Sequence, residues 1–301
     1  RCETIDGEWI GKPSNPILTH RHLGNTARVR NVGHADLVCA DNKWWLCCLA
    51  SRPYGEAGHR FCNMGRETFL VPVIWEDGWP VASWETGLVE NAYSLSGHVV
   101  KRDYDDADAI AFPAVDDFNS NVIAPYWLSL RRPASDFCNC KEESGVLRIY
   151  GGEPVTGSGN ISMLLRRQTG FSYEASARLE AHFDENEDTT GIILFQNESY
   201  NYRLQIVLKG KIIVLQLVRT QAGEETILAE EVMTGGRKVV TITLRVVAEH
   251  QKLRFEYGPD ERNMSLLAEN IDASILSTDV AGGFVGTVVG MFAVSGGDYK
   301  E

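Results

Sequence analysis

The chain has no surplus of positive charge: 29 Lys and Arg stand against 41 Asp and Glu in 301 residues, a net charge of −12. Nothing gathers Lys and Arg into a stripe that could neutralise phosphates, which excludes a nucleic-acid partner. Also missing is any apolar run near the roughly 20 residues that cross a bilayer, so no membrane span is predicted. The first residues, Arg1–Trp9, lack the basic start and apolar middle of a signal peptide. The expectation is a soluble protein whose location, intracellular or secreted, is left open. No long amphipathic helix competes with the strand patterns below. A composition of 44% hydrophobic and 23% charged residues is that of an ordinary globular protein with room for two domains.

Cysteine is present but not as a framework. Seven residues (Cys2, Cys39, Cys47, Cys48, Cys62, Cys138 and Cys140) are an odd number clustered mainly in strand-like segments. They read as buried free thiols packing as small hydrophobes, with a Cys39–Cys47 cross-strand disulfide as the alternative. Cys138-Asn139-Cys140 has no second pair at zinc-site spacing, so no structural zinc is expected there.

What is there is strand. From Asn31 to Pro80 the pattern predicts three strands, with His34 at the head of the first and Arg66 at the head of the third. Asp41-Asn42 suits a tight hairpin turn. In Trp44–Ser51 both side-chain parities are apolar, which predicts a strand covered on both faces. After Pro80 the pattern loosens into an acidic stretch, Asp103–Asp108, that reads as a linker. From Asp116 onward strands recur at intervals of about 8–12 residues, the rhythm of a sandwich. Tyr173, Ala175, Ala177, Leu179, Ala181 and Phe183 alternate with polar residues, as do Val240, Ile242, Leu244 and Val246.

Five motifs stand in fixed order within the first part: Gly33-His34-Ala35-Asp36-Leu37-Val38, Trp44-Trp45-Leu46, Arg52-Pro53, Gly65-Arg66-Glu67-Thr68, and Trp75-x-x-Gly78-Trp79-Pro80. Together they resemble the last part of the catalytic propeller of glycoside hydrolase family 43, the β-xylosidases and α-L-arabinofuranosidases. Asp117-Phe118, Trp127, Leu130-Arg131-x-Pro133 and Gly282-Gly283-Phe284…Val289-Gly290-Met291 resemble the concanavalin-A-like domain that follows it in one branch. The resemblance implies an all-β chain: a partial five-bladed β-propeller with its linker over residues 1–110, then a jelly-roll β-sandwich over 111–301. It also implies truncation at both ends relative to the family.

The implied activity is inverting hydrolysis that releases xylose or arabinofuranose from xylo- or arabinoxylo-oligosaccharides. The alternative is a non-catalytic carbohydrate-binding or structural module. Inversion needs an acid and a base on opposite sides of the glycosidic bond. In the family both belong to earlier blades, so none is expected in this chain, and a second polypeptide completing the propeller is a candidate partner. The resemblance makes Arg66 a contact of the sugar subsite, against the alternative of an Arg66–Glu67 surface pair. It points His34 at the propeller axis, as a calcium ligand or a holder of water there; calcium prefers oxygen, so an imidazole ligand means weak binding. It places Phe284 at the mouth of the active site, against a core phenylalanine. His20, His22, His59, His98, His182 and His250 read as structural. Trp44, Trp45, Trp75 and Trp79 read as core, and the acidic tip Asp184–Asp188 as solvated rather than as a second calcium site.

Overall fold

The computed structural model describes residues 1–56, 59–90, 93, 113–157, 159–235 and 238–297. It resolves into two compact units, Arg1–Asp105 and Asp106–Glu301. The acidic stretch Asp103–Asp108 lies outside the described residues, as does His98, and the side chain of His59 is likewise not described.

In the first unit a short 3-10 helix, Arg21–Thr26, leads into β1 (Arg30–Ala40) and β2 (Lys43–Ser51). Asp41 and Asn42 both take positive φ (52° and 59°), the two-residue turn whose twist matches a hairpin. A separate hairpin, β3 (Tyr54–Glu56) with β4 (His59–Phe61), intervenes before β5 (Glu67–Glu76) and β6 (Trp79–Ala82). The main sheet is antiparallel in the order β1-β2-β5-β6. Its core is Val29, Leu46, Cys48, Ala50, Val71, Val73, Ala82 and Val89.

Only one face of β2 is fully covered. Leu46, Cys48 and Ala50 are buried, whereas Trp45, Cys47 and Leu49 are half-buried, so the expectation of a strand sealed on both faces is not met among the described residues. The tryptophans also depart from the core reading. Trp44 and Trp75 are 37% and 45% exposed and meet edge to face, with centroids 5.4 Å apart.

In the second unit the strands are β7 (Leu128–Ser129), β8 (Cys138–Asn139), β9 (Arg148–Ile149), β10 (Ser162–Arg167), β11 (Ser172–His182), β12 (Thr189–Asn197) and β13 (Tyr200–Lys209). There follow β14 (Ile212–Gln221), β15 (Glu224–Gly235), β16 (Val239–Glu249), β17 (Lys252–Asp260), β18 (Asn263–Asp272) and β19 (Val288–Val294). They build a seven-stranded sheet, β15-β14-β13-β12-β19-β10-β7, and a four-stranded sheet, β11-β16-β17-β18. The two sheets bury their facing apolar rows together. Leu194, Leu204, Leu215 and Leu217 from the larger pack with Ile242, Leu244, Val246 and Phe255 from the smaller. The period-2 alternation read in β11 and β16 is that of strands with one wet face.

Asp116 ties the start of this unit together. Its carboxylate accepts from Tyr126 Oη (2.8 Å), Trp127 Nε1 (2.7 Å) and the Phe118 N–H (2.9 Å). The Arg166 guanidinium lies over the rings of Tyr126 and Trp127. Burial pushes the Asp116 carboxyl up, but the bonds from Trp127, Phe118 and Tyr126 outweigh it and hold the group below its ordinary value.

Candidate functional site

In the main sheet of the first unit the two residues singled out in its motifs stand on β1 and just ahead of β5, the two strands that flank β2. Arg30 faces Ser51 across β1 and β2, and Ala50 faces Glu67 across β2 and β5. β1 and β5 therefore both begin where β2 finishes. Arg66 stands at that shared end, immediately ahead of β5, whereas His34, expected at the head of its strand, is the fifth residue of β1 and lies further along the sheet, between the pairs Gly33–Leu49 and Asp36–Cys47.

His34 does not sit in regular strand. The pairing of β1 with β2 slips once between Arg30 and Gly33 and again between Gly33 and Asp36. Each slip inserts one extra residue, and at each a non-glycine takes positive φ: Asn31 at 56° and His34 at 54°. Such bulges redirect a side chain on an edge strand, and the left-handed region is uncommon outside glycine, with Asn and His among the residues that tolerate it. His34 is exposed. Sequence periodicity could not show the double bulge, because an inserted residue leaves no mark until the partner strand is known.

Arg66 follows a buried turn. Cys62, Asn63, Met64 and Gly65 are all inaccessible, the Gly65 N–H donates to the Cys62 carbonyl at 3.2 Å, and Gly65 has φ of 67°. Glu67, the next residue, is held by Arg52: Nε donates to Oε2 at 2.8 Å and Nη2 to Oε1 at 2.6 Å. That bond to Glu67 pushes the Arg52 guanidinium above its ordinary value. Both oxygens of Glu67 are thus engaged by Arg52, a pairing that sequence reading missed. Its partners are fifteen positions apart and meet only through the β2–β5 register.

Phe284 belongs to the second unit and is 66% exposed, so it is not the core phenylalanine of the alternative reading. His34 brings a single imidazole, and among the described residues no three His, Cys, Asp or Glu side chains gather to hold a metal. These residues do not by themselves fit a calcium site. In the acidic tip Asp188 accepts from the backbone N–H groups of Asp184, Glu185 and Gly296, each at 2.8 Å. All seven cysteines are free, and the Cys39–Cys47 alternative fails because Cys39 pairs with Trp44 while Cys47 pairs with Asp36. No helix among the described residues is long and apolar enough to cross a membrane.

Comparison with known proteins extends over both units. Residues 1–80 match the model of glycosyl hydrolases family 43, and residues 115–301 match that of the β-xylosidase C-terminal concanavalin A-like domain. A xylosidase/arabinosidase of Butyrivibrio fibrisolvens is 33% identical over 98% of this chain and 55% of its own. A non-reducing end α-L-arabinofuranosidase of Bacteroides ovatus is 28% identical over 99% of this chain and 54% of its own. Among solved structures, a xylan β-1,4-xylosidase from Bacillus halodurans superposes with a TM-score of 0.82 at 26% identity, covering 97% of this chain and 55% of that one. The chain spans about half the length of the curated relatives it matches. With more than half of its length inside the concanavalin A-like domain model and the propeller motifs ahead of it, the chain belongs to glycoside hydrolase family 43.

Proposed function

We propose that the protein is an inverting, exo-acting glycoside hydrolase that releases xylose, arabinofuranose or both from xylan-derived oligosaccharides, and that this chain contributes sugar-binding residues to it. The observation that carries the reading is a family 43 chain in which His34 and Arg66 stand on, and just ahead of, the two strands that flank β2 in one sheet. The names of its relatives, xylosidase/arabinosidase and α-L-arabinofuranosidase, support the substrate class. The planar guanidinium of Arg66 presents paired donors to vicinal hydroxyls, a geometry that the single ammonium of lysine does not reproduce.

Inversion requires an acid to protonate the leaving oxygen and a base to activate water from the opposite side. The motif carboxylates here are Asp36 and Glu67. Glu67 has both oxygens engaged by Arg52, and Asp36 is exposed opposite Cys47 on an edge strand. In keeping with the family resemblance, we take the acid and base of the proposed reaction to come from further blades of the same protein or from a second polypeptide. Calcium at the propeller axis would take the His34 imidazole from the described residues, with oxygen ligands from elsewhere.

The test is an assay of the full-length protein carrying this chain on aryl β-xyloside and aryl α-L-arabinofuranoside. Release of the aryl group from either supports the reading, and the ratio of the two rates names the preferred sugar. Inactivity on both rejects it.

A further inference from the structure

We propose that Arg52 is a positioning residue for Arg66, acting through the short segment Met64–Glu67; this rests on the reading of Arg66 as a sugar contact. Arg52 stands just past the end of β2, and its guanidinium touches the chain on both sides of Arg66. After Arg66 it forks onto the two oxygens of Glu67 at 2.8 Å and 2.6 Å. Before Arg66 its Nη2 lies 3.9 Å from Met64 Sδ. The residue between these two anchors is flanked by a buried turn on one side and by the first paired residue of β5 on the other.

The chemistry explains why arginine stands at this place. A bidentate fork fixes a carboxylate in direction as well as distance, whereas a lysine ammonium would hold it as a point charge. The Arg52 and Glu67 side chains are 33% and 26% exposed, so solvent competes for the pair and its contribution to global stability is small. A pair that adds little stability yet flanks a proposed substrate contact is suited to orientation: misplacing a contact by about an ångström is enough to lower turnover by about 100-fold.

The experiment is a double-mutant cycle on the full-length protein with aryl glycoside substrate, reading kcat and KM separately alongside thermal unfolding. Arg66→Ala alone checks the reading beneath the proposal. Arg52→Ala is expected to lower kcat/KM by about 10- to 100-fold and to have no further effect in the Arg66→Ala background, because there is then nothing left to orient. Arg52→Lys is expected to fall between the parent and Arg52→Ala, and Glu67→Gln to shift kcat/KM in the same direction as Arg52→Ala. Arg52→Lys and Glu67→Gln also stand in should Arg52→Ala fail to fold. If Arg66→Ala is harmful but the effect of Arg52→Ala multiplies with it, or if Arg52→Ala leaves kcat/KM unchanged, the positioning role is overturned and the reading of Arg66 survives. If Arg66→Ala changes nothing, both fall together.

Discussion

The imidazole of His20 bridges two backbone segments: Nε2 accepts from the N–H of Val89 at 2.8 Å, and Nδ1 lies 2.7 Å from the Val29 carbonyl. Because Nε2 must present a lone pair to an N–H, the proton sits on Nδ1 and donates to Val29. His20 is 7% exposed, so neither bond has water to replace it. His20→Ala is expected to destabilise the first unit by about 2–4 kcal/mol, from two lost buried bonds and a cavity beside the Val29–Val89 cluster. Chemical denaturation of the variant measures it, and a midpoint unchanged from the parent would show that the bridge contributes nothing.

Asp116 gives the second unit a pH dependence of known sign. Its folded-state value lies below that of an unfolded aspartate, so the unfolded chain takes up its proton first as pH falls. The stabilisation is complete above the unfolded value near 3.9 and is lost as pH drops through the lower folded value. Asp116→Asn, which leaves an acceptor but removes the charge, is expected to cost about 1–2 kcal/mol at pH 7 and to flatten the acid side of the stability profile. Urea melts at pH 7 and pH 3 compare the two; an equal loss for parent and variant between these values would refute the assignment.

The thiols should divide by burial. Burial, with Cys140 nearby, pushes the Cys138 thiol up to about 12, so its thiolate is scarce at pH 8. Cys39 is exposed on an edge strand. A disulfide reagent at pH 8 is expected to label Cys39 within minutes and Cys138 only after denaturant is added. Mass mapping that finds Cys138 labelled as fast as Cys39 in the folded protein would contradict this.

The strands were legible where one face meets water, because solvent imposes the period of two: β11 and β16 alternate in sequence as they do in burial. The turn at Asp41-Asn42 was legible because few residues accept positive φ there. Three features were not. The bulges at Asn31 and His34 depend on a register that only β2 supplies. The Arg52–Glu67 fork joins two motifs that read separately in sequence. The tryptophans of the first unit look like core residues by composition, yet Trp44 and Trp75 sit near strand ends, where two aromatic rings can cover each other and still face solvent.

For Arg66 and His34 the expected outcome is a loss of turnover without unfolding. A charge-assisted contact made chiefly in the transition state is worth about 2–4 kcal/mol of barrier, so Arg66→Ala in the full-length protein should lower kcat strongly while thermal unfolding stays near the parent's. His34→Ala should lower kcat as well, since the bulge that holds it at positive φ has no evident packing purpose for an exposed side chain. Steady-state kinetics read against circular dichroism separate chemistry from folding. Parent-like kinetics in both variants would return the two residues to a structural role.

Expressed by itself, the chain of residues 1–301 is expected not to hydrolyse aryl glycosides. Two motif carboxylates are at hand, on strands to either side of β2: Glu67 is held in the Arg52 fork, and Asp36 lies across from Cys47. Without an acid and a base on opposite sides of the bond, water is not activated and the leaving oxygen is not protonated. The same chain should be a poor monomer, because Leu37, Val38, Trp44, Leu70 and Trp75 are exposed on a sheet that, among the described residues, has β1 and β6 as its outer strands. Size-exclusion with intact mass on the purified chain, followed by the aryl xyloside assay on the eluted species, tests both statements at once. Self-association or a co-eluting polypeptide, with activity appearing only when that polypeptide is present, is the expected result. A well-behaved lone monomer that cleaves aryl xyloside would overturn it and require Asp36 and Glu67 to be tested as base and acid by their amide variants.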